Sequence, residues 1–207
     1  MMNPLQALTW IIFIGMWVHI CIRSTALNER FGWKRPDGSK EFSKWSDFII
    51  QFAANCVNKV REYSLFLQAD IDLFWQVINN NKVVALLDEI KQPRMAYADL
   101  WQGNVLLEKR DGKYSIAALI DIDRAIFGDV YWDFITQWMI TDSFLSGYGG
   151  SIDKSLNTLK RGDIYLMLGY FVSTYIWAVQ YDTPKRYEHM RQEAIKYLHR
   201  CPSEYLL

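Results

Sequence analysis

Cysteine is scarce in this 207-residue chain. Cys21, Cys56 and Cys201 stand far apart, are odd in number and form no C-x-x-C pair. That pattern argues against a disulfide framework and against a zinc site. It suits reduced, partly buried thiols of a cytoplasmic protein. Histidine is equally sparse, and His19, His189 and His199 lack metal-ligand spacing. They read as structural or surface residues. An excess of either charge is missing too, since 23 Lys and Arg balance 23 Asp and Glu. A net charge of zero offers no general attraction to nucleic acid or to an anionic membrane. Local basic residues, such as Lys34, Arg35, Lys40 and Lys44, read more simply as a solvated face than as a phosphate-binding patch. Repeats, low-complexity tracts and linkers are absent.

What the chain has is apolar bulk. Hydrophobic residues make up 51% and aromatics 15%, in a length that suits one domain or one large lobe. That is enough to bury a sizeable core. The run "LQALTWIIFIGMWVHICI", residues 5–22, carries no formal charge and approaches the length of a membrane span. Arg23 and Arg30 after it would keep the downstream chain cytoplasmic. It has no basic n-region and no A-x-A-like cleavage site, so it is a poor signal peptide. Composition leaves two readings open, a span and a buried helix. A second run, 164–179, includes Ser173, Thr174 and tyrosines and reads as a core helix.

Along the chain, 31–42 has loop chemistry, with a Pro-Asp-Gly turn. Ser46 is expected to cap a helix running to about Tyr63, with Phe48, Phe52, Cys56 and Val60 recurring every four residues. Asp70 is expected to open a second helix, with Leu73, Phe74, Val77 and Ile78 on one face. A third covers 81–90 and ends at Pro93. The pattern then changes. "RMAYA" reads as a strand, and "NVLLEKRDGKYSIAALIDID" as two strands joined at Asp111-Gly112. Helical period returns over Tyr131–Thr141, and further helices are expected from about Ile152, from Asp163 and from Pro184. The fold class is α+β: a mostly helical body with a small strand cluster in its middle.

That cluster carries the chemistry. Asp99, Asn104 and Asp121 come in order, and an antiparallel hairpin would return Asp121 to the Asn104 end. Magnesium wants hard oxygen ligands, usually one or two carboxylates plus phosphate oxygens. An Asp near a transferred phosphate can accept a hydroxyl proton. Asp123 shares the site or points away. Taken singly, each residue has a plainer reading: Asp99 capping a turn, Asn104 satisfying loop carbonyls, Asp121 an exposed strand end.

The stretch "YADLWQGNVLLE…IAALIDIDRAIFGDVYWDF" resembles the aminoglycoside phosphotransferase family of the protein-kinase-like superfamily. That family's pattern is His-Gly-Asp-Leu-Trp-x-Gly-Asn, then Ile-Asp, then aromatic-Gly-Asp and a later Asp. The match is close over 95–134. Weaker similarity in "FIGMWVHI" and "ERFGW" favours a buried helix for the N-terminal run. The resemblance implies a protein-kinase-like C-terminal lobe spanning 1–207. It implies Asp99 as the catalytic Asp that orients or deprotonates the acceptor hydroxyl. It implies Asn104 and Asp121 as ligands of Mg²⁺, and so of the ATP phosphates. Asp133 resembles the Asp that braces the loop, Gly128 and Asp129 belong to the turn before it, and Trp101 is expected to pack the loop. The acceptor would be a small-molecule hydroxyl: an aminoglycoside, a choline-like alcohol or a sugar.

Two departures stand out. The family's His and Gly are Tyr97 and Ala98 here. No strand-rich region before residue 97 offers the lobe that covers ATP, so a truncated chain is expected, binding nucleotide poorly and catalysing weakly or not at all alone. The competing classes are a non-catalytic kinase-like binding module and, further off, a membrane-anchored protein using 5–22. Asp142, Asp153 and Asp163 could attract a cationic acceptor but read equally as helix caps.

Overall fold

The computed structural model describes residues 30–33, 41–99, 101–135, 142, 145 and 152–205. The N-terminal run 5–22, with Cys21 and His19, lies outside them. The fold is α+β, with helices and small antiparallel sheets. The chain divides into two compact units, each assembled from two separated segments. One draws on residues up to Ser43 and on Gln92–Lys154; the other on Lys44–Lys91 and Ser155–Leu207.

The second unit is helical. Helix α1 spans Trp45–Glu62, α2 Gln68–Ile78, α3 Asn81–Leu87, α4 Leu156–Tyr175 and α5 Pro184–Tyr205. On α1 the four-residue recurrence buries Phe48, Ile49, Ala53, Cys56, Val57 and Val60. Its start differs from expectation. Lys44 is the N-cap, with no side-chain bond, and Ser46 lies inside the first turn, where its N–H donates to Asp88 Oδ1 at 3.3 Å. The helix stops with Ser64 in the left-handed region (φ 53°). Leu65 N–H reaches back to Val60 O and Ser64 N–H to Arg61 O, closing the last turn.

Helix α2 begins at Gln68, two residues before Asp70, and buries Ile71, Phe74, Val77 and Ile78. Helix α3 opens on Asn80, whose side chain accepts from Lys82 N–H at 2.8 Å. It ends at Leu87, well before Pro93, in three-residue turns closed by Glu89 N–H to Leu86 O at 3.4 Å and Ile90 N–H to Leu87 O at 3.2 Å. The two helices expected from Ile152 and Asp163 are one. Ser155 caps α4 by accepting from Thr158 N–H at 3.3 Å, and Asp163 sits within it, 3.2 Å from Arg200. Asp153 precedes that cap, so neither Asp153 nor Asp163 is one; for Asp142 the question turns on neighbours outside the described residues.

The apolar run 164–179 is a core helix as expected, burying Ile164, Tyr165, Met167, Leu168 and Phe171. It runs on into a π-helical turn over Ile176–Gln180. Phe171 stacks on both Phe66 and Phe74 at 4.2 Å. Trp45 Nε1 donates to Tyr165 Oη at 2.7 Å, satisfying both inside the core. Pro184 stands first in α5, where a missing N–H costs nothing. Cys56 and Cys201 are both buried. Among the described residues no helix is long and apolar enough to cross a membrane.

The first unit is built from strands. Strand β1 is Phe31–Gly32, β2 Glu41–Phe42, β3 Arg94–Ala96, β4 Val105–Arg110, β5 Lys113–Leu119 and β6 Ile126–Gly128. One antiparallel sheet runs β2-β1-β6-β3, and β4-β5 form a separate hairpin. The ends of the expected 31–42 loop are thus strands, Phe31 facing Phe42. The hairpin turn lies at Asp111-Gly112 as its chemistry requires, both with positive φ (51° and 78°). The helical period expected over Tyr131–Thr141 is a 3₁₀ helix, Val130–Phe134, as far as Ile135; residues 136–141 lie outside the described set. Tyr97, Val105, Ile116 and Phe134 make this unit's small core.

Candidate functional site

The loop between β3 and β4 is held in place by a buried acid. Asp133, 4% exposed, accepts from Tyr97 N–H at 2.9 Å and from Ala98 N–H at 2.8 Å, one bond on each oxygen. Ala98 has φ 64°, a conformation that strains a residue with a Cβ. The two bonds to one carboxylate hold that turn. Burial pushes the Asp133 carboxyl up to about 6, against the pull of both amides.

Further along the loop, Trp101 O accepts from Asn104 N–H at 3.1 Å. The Trp101 ring lies over Gly103, and a Cβ there would run into it and push the half-exposed ring aside. Trp101 packs on the loop as expected, while remaining 47% exposed.

Asn104 is 4% exposed. Its amide nitrogen donates to Asp99 O at 2.9 Å and more loosely to Asp99 Oδ2 at 3.4 Å. Both partners are acceptors, which fixes which end of the carboxamide is nitrogen. Among the described residues no donor reaches Asn104 Oδ1. The Asn104 carbonyl accepts from Ile120 N–H at 2.9 Å, which carries the end of β5 back to the loop. The antiparallel return expected from the sequence therefore brings Asp121 beside this end of the loop. Tyr97 adds a second tie, since its hydroxyl donates to Ile120 O. Burial, then the carboxylates of Asp121, Asp99, Asp123 and Asp133, push the Tyr97 phenol up to about 12, so it is a proton donor at neutral pH.

Asp121 takes the left-handed conformation (φ 63°, ψ 49°) at the start of a 3₁₀ turn, Ile122–Arg124. Asp tolerates this better than most residues. Its carboxyl is raised above the ordinary range, first by Asp123, then by burial and by Asp99, with Arg124 opposing. Asp123 thus shares the site. Arg124 Nη1 stands 3.7 Å from Asp99 Oδ1. Sequence reasoning passed over Arg124. The available signal was a cation three residues after Asp121, in the segment the hairpin returns to the loop. Asp129 does different work: its side chain accepts from Tyr131 N–H at 3.0 Å and caps the Val130–Phe134 turn.

The structure thus gathers Tyr97, Asp99, Asn104, Asp121, Asp123 and Arg124, and gives Asp129 and Asp133 bracing roles. Among the described residues no group of three or more His, Cys, Asp or Glu side chains is arranged to hold a metal ion. A set of one carboxylate and one carboxamide is smaller than such a group, and suits a cation that keeps waters and takes its other ligands from a phosphate. No protein-family model and no curated protein matches the chain.

Proposed function

We propose that this constellation is the acceptor-and-metal site of a phosphotransferase, a protein-kinase-like C-terminal lobe of the aminoglycoside phosphotransferase type, acting on a hydroxyl of a small molecule. The observation that carries the reading is Asn104. Its nitrogen is spent on Asp99, and its buried oxygen is left without a donor among the described residues. A buried carbonyl oxygen without a partner is costly, and a cation satisfies it. The three neighbouring carboxylates favour the same occupant, because their mutual repulsion raises Asp121.

Asn104 Oδ1 and Asp121 would hold Mg²⁺, with Asp123 beside them. When bound, the ion neutralises charge on the phosphates of ATP. Asp99, 28% exposed, orients the acceptor hydroxyl and takes its proton as the new oxygen–phosphorus bond forms and the bond to the leaving diphosphate breaks. Asp133 holds the loop so that Asp99 faces the acceptor, and Tyr97 ties that loop to Ile120 and so to Asp121. The left-handed turn at Ala98 supports the resemblance, since the family pattern has Gly there.

A second reading, a non-catalytic binding module, draws on the exposed side chains of Trp101, Leu106, Ile120 and Ile122 around the same loop. ADP release from Mg·ATP, assayed against a panel of amino-sugar, amino-alcohol and sugar acceptors, separates the two. Acceptor-dependent release that falls at least a hundredfold in Asp99→Asn supports transfer. Release from no acceptor in the panel, by a folded chain, favours the module.

A further inference from the structure

The outward side of α4 is apolar, where a surface helix is ordinarily polar. Leu156, Leu159, Leu166, Tyr170 and Trp177 follow at steps of three, seven, four and seven residues, so they share one stripe. Leu156 is 66% exposed and Leu159 45%, and the other three are half-buried. The acid in this stripe, Asp163, is turned toward α5, where Arg200 lies 3.2 Å away. Helix α5 runs alongside. Its Tyr197 stacks on Tyr170 at 5.6 Å, and Arg186 lies over the Trp177 ring at 4.4 Å. These contacts fill the seam between the two helices, so the pair offers a level face and not a groove for a third helix.

The charges on this face are layered by sign. In the Arg200–Asp163 pair the cation is 54% exposed and the acid 14%. In the Lys196–Glu193 pair the cation is 65% exposed and the acid 24%. Lys185 and Arg186 are exposed as well, with Asp182 in the turn before them. The acids are thus mostly held inward and the cations stand outward. On the α1 surface, by contrast, Lys59 and Glu62 are exposed alike, at 50% and 52%. The neutral chain has no general pull toward anions, but this one face has a local one.

We propose that this face of α4 and α5 docks on the surface of an anionic phospholipid bilayer. The helices lie on the surface and do not cross it. Leu156 and Leu159 enter the boundary of the acyl chains, and Tyr170, Trp177 and the 60% exposed Tyr181 sit at headgroup depth. Lys185, Arg186 and Lys196 meet the lipid phosphates and carboxylates. Two other occupants fit less well. A second copy would set the outward cations against themselves. A nucleic acid would meet the cations and rings but give the exposed leucines nothing to bury against. The inference stands apart from the phosphotransferase reading.

The test is sedimentation of the full chain with vesicles of phosphatidylcholine, alone or with a third of it replaced by phosphatidylserine. Wild type is expected to bind the anionic vesicles at least tenfold more tightly, and less tightly as salt is raised. Lys185→Glu with Lys196→Glu should weaken that binding at least tenfold. Leu156→Ser with Leu159→Ser should weaken it to a similar extent. All four side chains are exposed, so circular dichroism of both variants should match wild type. The run 5–22 is the same in every variant, so a difference between them reports this face. Equal binding to the two kinds of vesicle, or anionic binding unchanged in either variant, would overturn the proposal. Absence of vesicle binding by the folded chain would overturn it too. A dimer in analytical ultracentrifugation that the leucine variant breaks would then give the face to a second copy, and a monomer would leave it to an acidic protein.

Discussion

The helical unit and the strand unit solve opposite problems. In the helical unit the interior is apolar and aromatic, and its polar groups pair off inside it, as Trp45 does with Tyr165. In the strand unit the core is small, and polar side chains take structural positions within it. Asp133 holds a strained loop and Asp129 caps a turn. Asn104 is buried with one end committed. The contrast shows where apolar packing and where buried polar side chains are concentrated. Packing rewards volume and shape, whereas a site needs charged groups held apart from water and from each other's partners.

The largest expected effect is in the helical unit. Phe171→Ala removes a ring that is fully buried and stacked on Phe66 and Phe74. Urea denaturation should show a loss of about 3–5 kcal/mol, with metal binding by the strand unit retained under native conditions. If the loss were under 1 kcal/mol, the helical core would not be the packed unit described.

Next comes Asp133, through pH. Its carboxyl rises from an ordinary 3.8 to about 6 in the fold. The folded state therefore binds the proton more tightly than the unfolded chain. The contribution is fully present below about pH 4 and is lost as pH rises through 6. Relative to Asp133→Asn, which does not titrate, wild-type stability should fall by roughly 3 kcal/mol across that window. A flat difference between pH 4 and pH 7 would mean that the two amides, and not burial, set this acid's ionisation. Hydrogen exchange at Tyr97 and Ala98 should speed up in Asp133→Ala, which orphans both amides.

Smaller effects separate local from tertiary control. Ser155→Ala should cost about 1 kcal/mol through the lost cap on α4. Gly112→Ala should cost about 1 kcal/mol, from the positive φ alone, because nothing lies near the added Cβ. Ser46→Ala should show no capping loss, since the Ser46 backbone, not its side chain, meets Asp88. Thermal unfolding of the three variants checks the order.

The same residues show what a sequence reveals. Asp111-Gly112 was legible because a two-residue hairpin needs two positive φ values and few dipeptides supply them. The apolar run from residue 164 was legible as core because its polar residues suit a protein interior better than lipid. Helix starts were less so. Ser46 and Ser155 look alike in a local window, and only the backbone makes one a cap. Of the sheet β2-β1-β6-β3, β3 was legible in "RMAYA", whereas β1, β2 and β6 were missed because strands of two and three residues show no alternation to read. At the site, the return of Asp121 to Asn104 followed from antiparallel pairing. Arg124 did not, because its partner Asp99 is local to it only after the hairpin forms.

The central claim is that Asp99, Asn104 and Asp121 form a metal–phosphate site. Calorimetric titration of Mg·ATP into the purified chain, with Asp121→Asn beside it, tests this most directly. The account predicts weak but saturable binding that requires Mg²⁺ and disappears in the variant. No binding to a well-folded chain, or binding that survives Asp121→Asn unchanged, would contradict it.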